Sequence, residues 1–564
     1  MRILGISPYH DASVCILDDG EITYFSKQER LTRKKRDELG ENQLTVLNYV
    51  LDNYQDTPID KIVICSPTPN SQGVDWLQMY MWTKIKNPKG CQIIKYCQDH
   101  HLAHATLAFN NSGFKEALTF VIDRNGAMME DRMRESESVF TCKYPANFKT
   151  IYKNYFLVNK GQDHDVENHQ LVSKMKKIFK DAEVKGDSTM NITKVYESAT
   201  TLIGQHVLEN GKTMGLAGYG KDKKFPDLMN DDLYFHYHGM EVGYKEHFGL
   251  QNKNFDKRKS LYADYAFQVQ KQTQEMVLNL VKKFVKKTGI RNVCLTGGYA
   301  LNVVTNGYLI EKLPHLNFYF EPLADDSGNS LGAAMDLHRT LNKDKTIRKL
   351  VHTFFNHTKE KIKPVGKKCS VADIAKALSK QKTVAVYYGK AESGPRALGH
   401  RSILFDARNK NAKDIVNKIK KREWYRPFAC SVLEEDANEY FNMHGLNESP
   451  FMTISFPVRK EKKNIIPGVI HVDNSCRIQT VNNSIPHFFE LLTEFKYLTN
   501  VPVLLNTSFN LAGEALVESY EDAIKTFKKS DIDILWFPET ERYINDKSNL
   551  AIWGWQSTSL CICR

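Results

Sequence analysis

The segment DHHLAHA, residues 99–105, places His100 and His104 four positions apart. On a helix that spacing puts both imidazoles on one face, where a single divalent ion can meet both. Imidazole ligands suit iron, zinc, manganese or nickel, and the spacing leaves the choice open. Taken alone, the segment reads equally well as a helix with core or surface histidines, and His101 falls on another face as a structural residue. A two-histidine centre needs a carboxylate, and two stand at strand ends. Asp123 closes TFVID, and Asp326 follows FYFEPL in ADDSG. A carboxylate beside Gly328 and ahead of a helix is well placed for a metal or a metal-bound phosphate. Its neighbour Asp325 reads as a turn residue.

A second group of chemistry-bearing residues lies toward the carboxy terminus. The stretches ESGPRALGHRSILFDARN, KREWYRPFACSVL and HVDNSCRIQTV set Arg396, Arg401, Arg426 and Arg477 among glycine, proline and small polar residues. Planar guanidinium groups are bidentate donors to phosphates and carboxylates. One such arginine is ordinarily a surface ion pair; four on strand and turn flanks read as a polyphosphate site. Asn506, Ser508 and Asn510 follow a strand and can donate to the same anion. Gly297 and Gly298 lie where a strand turns toward a helix, with Asn302 just beyond, and glycines there let backbone N–H groups approach an anion. GKTMGLAGYG, residues 211–220, lacks the spacing of a phosphate-binding P-loop.

The elements that must position these groups are legible in outline. Ile3–Ser7, Ala12–Leu17 and Ile22–Phe25 are expected strands, and Asp18-Asp19-Gly20 is a hairpin turn. From Asn42 onward Leu44, Leu47, Val50 and Leu51 follow helical spacing. A comparable pair of strands recurs at Leu118–Asp123 and Ser138–Cys142, which suggests a duplicated α/β unit. Asn292–Thr296 and Phe318–Phe320 are further strands, with helices from about Ala300 and near Ser330. Between Leu341 and Lys368 the periodicity lapses, so the expected domains are 1–350 and 351–564. The second is again α/β, with helices at Val371–Leu378, Pro486–Glu494 and Tyr520–Lys528 and strands at Thr383–Tyr388, Thr453–Phe456 and Pro502–Leu505. The final residues, AIWGWQSTSLCICR, are apolar and uninformative.

Composition bounds the rest. At 564 residues the chain exceeds one ordinary core, and 26% charged with 11% aromatic residues excludes a mainly disordered protein. No run approaches the roughly 18 apolar residues of a membrane span, and MRILGISPYHDASVCIL lacks the features of a signal peptide. Eleven cysteines without a C-x-x-C pair point to a reduced, cytoplasmic setting. The net charge of +12 leans toward anionic ligands, although neither half has the one-sided balance of a DNA-binding arm. A homodimer is expected only from the frequency of such assemblies.

Over nearly its whole length the chain resembles the O-carbamoyltransferases of nodulation-factor and antibiotic biosynthesis. The resemblance rests on GIxxxHDAS, ERLTRxK, DHHLAHA, GKTMGLAGYG, LTGGYALN, ADDSGNSLGAA, GPRALGHRS, RPFACSVL, SPFM, HVDxxxRxQTV and NTSFNxxGE. It implies a duplicated ASKHA-type (RNase H-like) amino-terminal domain followed by a YrdC-like α/β domain. It further implies that the second domain converts carbamoyl phosphate and ATP, with Mg, through carbamate into carbamoyladenylate and pyrophosphate. An acceptor hydroxyl then takes the carbamoyl group in the first domain, at Fe(II) or a similar divalent metal. Carried onto this sequence, His100, His104 and Asp326 are ligands, with Asp123 in or near the shell. Lys35 and His10 fall on active-site positions, and Arg396, Arg426, Arg477 and Ser508 on ATP and carbamoyl phosphate positions. His10 is the expected base for the acceptor proton, with Asp11 as its rival.

Departures from the family pattern are Arg36, Arg124, Gly218, Asp325 and Cys430. Arg36 and Arg124 add positive charge where the acceptor is expected. A small hydroxyl-bearing molecule is the first expectation for that acceptor. The alternative is a hydroxymethylated pyrimidine such as 5-hydroxymethylcytosine, as a nucleotide or in DNA, although no DNA-reading motif is present. A tRNA threonylcarbamoyl-type transferase is a further alternative. A hydrogenase-maturation enzyme would need zinc-finger cysteines that this chain lacks, and a binding module would not keep both residue sets.

Overall fold

The computed structural model describes residues 1–41, 43–67, 72–97, 99–129, 133–157, 170–187, 191–223, 255–356 and 365–548. Three sheets organise them. The first runs β3-β2-β1-β4-β5, from β1 (Arg2–Ser7), β2 (Ser13–Asp18), β3 (Glu21–Lys27), β4 (Lys61–Ser66) and β5 (Gln92–Cys97). Its first three strands are antiparallel, and β4 and β5 join parallel to β1. Asp19 and Gly20 both hold positive φ in the hairpin turn, as a twist-matched two-residue loop requires.

The second sheet repeats this order with β6 (Glu116–Ile122), β7 (Met133–Lys143), β8 (Asn147–Leu157), β10 (Asn292–Thr296) and β11 (Asn317–Phe320). Strand β7 is antiparallel to β6 and to β8, whereas β10 is parallel to β6 and to β11. One added strand, β9 (Glu183–Asp187), extends the β8 edge. The duplicated α/β unit expected from the sequence is therefore present as two sheets of one topology. The carboxy-terminal half folds around a nine-stranded mixed sheet.

Between the first two sheets lie the His100–Ser112 and Asn329–Asn342 helices. Ala103 and Leu107 pack with Ile3, Leu17, Phe25 and Val63 of the first sheet. Ala105, Ala108 and Phe109 pack with Val121, Phe140 and Cys294 of the second. A helix covered on both sides needs apolar or small residues all round, which explains the alanines of DHHLAHATLAF. The two helices touch so closely that a Cβ at Gly332 would stand 2.0 Å from the Ala103 carbonyl oxygen. Gly332→Ala should cost at least about 1–3 kcal/mol through overpacking, because the obstructing atom is backbone. A lowered urea midpoint with an unchanged m-value would register it.

Element boundaries differ modestly from expectation. The first long helix is Thr45–Asn53, and Asn42 lies outside the described residues. A 3-10 turn over Gly298–Leu301 precedes the Val303–Lys312 helix, in place of one helix from Ala300. The strand expected at Thr383–Tyr388 shortens to Val384–Val386, and the helix from Pro486 runs on to Thr499. GKTMGLAGYG is mostly helix, Asn210–Ala217, with Lys212 paired to Glu209 and to Glu423 of the other half. The AIWGWQSTSLCICR tail lies outside the described residues. Among the described residues eight cysteines form no disulfide, and no helix is long and apolar enough to cross a membrane.

Candidate active site

The loops at the carboxyl ends of the central strands converge, the usual location for ligands in α/β sheets. From the first sheet come His10 and Asp11, just after β1. From the second come Asp123 after β6, Gly297 and Gly298 after β10, and Asp325 and Asp326 after β11. His100 opens the intervening helix, and His104 follows one turn later.

His100, His104, Asp123 and Asp326 each offer one ligand atom, and these four atoms lie within 4.8 Å of one another. His100 Nε2 is 3.5 Å from both Asp123 Oδ2 and Asp326 Oδ1, and His104 Nε2 is 3.5 Å from Asp326 Oδ1. Burial opposes charge on His100, yet Asp326 and Asp123 together push it up to about 10. Both aspartates are held below the usual carboxylate range; burial opposes this, but their neighbouring imidazoles outweigh it. Two imidazoles and two carboxylates fit a divalent first-row ion. Asn329, which the sequence reasoning missed, brings its amide nitrogen to 3.3 Å from both His100 Nδ1 and His104 Nε2.

His101 is structural, as its position off the shared face suggested. Its Nδ1 lies 2.7 Å from Ser138 Oγ, and burial pushes it down to about 3. On the open side His10 Nδ1 lies 3.4 Å from Asp11 Oδ2 and 3.5 Å from Asp326 Oδ2. Asp325 caps the Asp326–Gly328 turn through the Ser327 N–H, as a turn residue should.

Glycine at 297 is required twice over: its φ is +83°, and a Cβ would stand 2.5 Å from the Ile122 carbonyl oxygen. The N–H that this pair presents to an anion meets Asp123 itself, with Gly298 N–H donating to Asp123 Oδ1 at 3.0 Å. Gly297 and Gly298 thus orient a carboxylate of the cluster, where a cofactor anion was expected. Asn302 is likewise occupied. Its carbonyl oxygen caps the Val303–Lys312 helix by accepting from Thr305 N–H, and its amide donates to Gln270.

The carboxy-terminal arginines divide into two kinds. Arg401 is 1% exposed, and its guanidinium donates to the carbonyls of Tyr388, Gly389, His400 and Glu518 while stacking 3.7 Å over Tyr387. It ties the fold together through these backbone carbonyls, where a phosphate contact was expected. Asn506, fully buried, donates to Ala397, Ser431 and Gln479 and is structural too.

Arg396, Arg426 and Arg477 form the other kind. Burial, then repulsion by Arg477 and Arg426, lowers Arg396 far below its ordinary value. Burial pushes Arg477 down to about 10 despite the sulfur of Cys476, with Arg426 adding repulsion. Guanidinium groups keep their proton in proteins, so the group is a concentration of cations. Among the described residues Arg396 donates only to the Leu301 carbonyl, and Arg426 meets Glu423 at 3.6 Å. Arg477 and Arg396 pair with no carboxylate among the described residues.

Two members were missed. Arg422 sits among these arginines, held far below its ordinary value by burial and then Arg426. Lys420 donates to the Ser508 carbonyl and to Asn510 Oδ1, and stands 3.3 Å from Ser508 Oγ. A KKR run is ordinarily a solvated face, which hid both. Lys35 also belongs here: burial, then Arg426 and Arg36, lower it against the pull of Glu29. The charges acting on it are Glu29, Arg426, Arg36 and Glu209, so it shares Arg426 with the arginine group.

Of the two arginines expected near the acceptor, Arg124 donates through Nε (2.9 Å) and Nη2 (2.7 Å) to Glu197, which also pairs with Lys194 at 2.8 Å. Arg36 donates to the Leu208 carbonyl. Arg134, also missed, is lowered by burial and by Arg124, against the attraction of Asp123 and Asp326.

The family description "Carbamoyltransferase N-terminus" matches residues 2–86 and 77–335, and "Carbamoyltransferase C-terminus" matches residues 375–542. An uncharacterized protein of Synechocystis is 29% identical over 95% of each chain. Nodulation protein NolO of Bradyrhizobium diazoefficiens is 30% identical over 77% of each. Nodulation protein NolNO of Sinorhizobium fredii is also 30% identical, over 77% of this chain and 62% of its own length.

Proposed function

This chain belongs to the carbamoyltransferase family and is an enzyme that transfers carbamoyl groups; we propose that it makes carbamoyladenylate from carbamoyl phosphate and ATP and passes the carbamoyl group to an acceptor hydroxyl. Residues 351–564 carry the first step and residues 1–350 the second. The observation that carries this reading is the coexistence of two complementary sites: a four-donor cluster of metal-ligand type, and a cluster of arginines with little acidic company.

In the first step carbamoyl phosphate loses phosphate to water, leaving carbamate. A carbamate oxygen attacks the α-phosphorus of ATP, bound with Mg, and the bond to pyrophosphate breaks. Arg396, Arg422, Arg426 and Arg477 relieve the repulsion between these anions. Lys420 fixes the Ser508–Asn510 turn against them, and Lys35 closes the side toward the first domain.

In the second step the acceptor oxygen bonds to the carbamoyl carbon and AMP leaves. His100, His104, Asp123 and Asp326 would hold a divalent ion, Fe(II) or a similar one, which when bound supplies positive charge to the departing AMP. His10 is placed to take the acceptor proton: Nδ1–H directed at Asp11 and Asp326 leaves Nε2 as the lone pair. Asp11 remains its rival.

The primary acceptor is a small hydroxyl-bearing molecule. Arg134 favours a second class, a hydroxymethylated pyrimidine nucleotide, because no carboxylate among the described residues pairs with its guanidinium, which still feels the attraction of Asp123 and Asp326. For such an acceptor Arg134→Gln should raise KM roughly tenfold, the loss of about one charged hydrogen bond. An unchanged KM would remove that class.

The test is mass spectrometry of an acceptor panel with enzyme, ATP, carbamoyl phosphate and Fe(II). The panel holds aminoglycosides, hydroxymethyl-dCMP and hydroxymethylcytosine-containing DNA. One acceptor gaining a single carbamoyl group, with AMP and pyrophosphate formed, is the expected result. Turnover that instead requires threonine and bicarbonate would replace this proposal with a threonylcarbamoyl-type activity.

A further inference from the structure

Lys27 has no part in either step above, and its position in the sequence gives no sign of a role. It ends β3 and is 3% exposed, an unusual place for an ammonium group. Its Nζ lies 2.6 Å from Asp325 Oδ2 and 4.0 Å from Asp11 Oδ1. These carboxylates come from separate parts of the chain, one from the turn after β1 and one from the loop after β11.

Each carboxylate neighbours a residue of the transfer site. Asp11 holds a φ of +60°, which a non-glycine residue keeps only when its surroundings enforce it. It sets the adjacent His10 through the 3.4 Å contact to Nδ1. Asp325 accepts from Ser327 N–H at 3.2 Å and from the Ser327 hydroxyl. That cap fixes the turn whose first residue is Asp326. Without a cation between them, Asp11 and Asp325 would repel each other in a buried setting, beside two more carboxylates at Asp123 and Asp326.

We propose that Lys27 is a positioning residue that ties Asp11 to Asp325 and thereby fixes Asp326 in the metal centre and His10 beside it. This rests on the reading of His100, His104, Asp123 and Asp326 as that centre. Groups that orient metal ligands from behind typically change affinity or activity roughly 10–100-fold when removed.

Co(II) is the probe, titrated into the full-length, chelator-treated chain and followed by visible absorbance. Lys27→Met should weaken Co(II) binding roughly 10–100-fold, and Lys27→Arg should restore most of it. Asp325→Asn, which deprives Lys27 of its partner, should weaken binding in the same direction and serves if Lys27→Met does not fold. In turnover, kcat for transfer should fall while KM for ATP stays unchanged, a split that general destabilisation would not produce. Wild-type affinity in both Lys27→Met and Asp325→Asn would overturn the proposal. A wild-type chain that binds no Co(II) would overturn the metal-centre reading beneath it.

Discussion

Asp326→Asn is expected to abolish carbamoyl transfer while leaving carbamoyl phosphate-dependent pyrophosphate release intact. Asp326 is the residue at which the cluster meets: Oδ1 lies 3.5 Å from both His100 and His104, and Oδ2 lies 3.5 Å from His10. Asparagine keeps the volume and removes the charge, so the turn should survive while the donor set loses its anion. A bound metal is worth several kcal/mol of transition-state stabilisation, and each 1.36 kcal/mol is tenfold in rate. The expected loss is on the order of 10³-fold in kcat, with metal content falling in parallel. Substantial transfer by Asp326→Asn would move the chemistry elsewhere.

Arg477→Ala should have the opposite profile. Pyrophosphate release should fall about 10²–10³-fold, the usual effect of deleting one charge-stabilising donor. Transfer from carbamoyladenylate supplied to the enzyme should persist. Arg401→Ala is the informative contrast, because that guanidinium serves four backbone carbonyls. Stranding buried acceptors costs about 1–3 kcal/mol each, so its main effect should be a lower melting temperature. Equal loss of pyrophosphate release in both variants, with equal melting, would erase the distinction between the two arginines.

That distinction also marks where sequence reasoning stopped. Arg396 and Arg401 share one segment, GPRALGHRS, and nothing in their types or spacing separates a guanidinium proposed to meet a ligand from one held by four backbone carbonyls. Their partners separate them: Arg401 is spent on four backbone carbonyls and Arg396 on one, and those partners are set by the folded chain. Asn302 and Asn506 followed the same course, because an amide donates equally well to phosphate, a helix terminus or a neighbouring side chain. Local signals did better. The Asp18-Asp19-Gly20 turn, the i,i+4 histidines and the strand-end aspartates each reflect a short-range constraint, and the fold brings them together as their spacing implied. Lys27 and Lys420 were illegible because their partners lie far along the chain: 298 residues separate Lys27 from Asp325, and 88 separate Lys420 from Ser508. A lysine in sequence is presumed solvated until a buried partner is found.

In the proposed mechanism one chain activates the carbamoyl group at one site and delivers it at another. Isotope exchange between labelled pyrophosphate and ATP, measured without acceptor, tests it most directly. Reversible adenylate formation predicts exchange that requires carbamoyl phosphate and proceeds at wild-type rate in Asp326→Asn, a variant unable to transfer. Formation of ADP and phosphate without exchange, or exchange lost together with transfer, would contradict it.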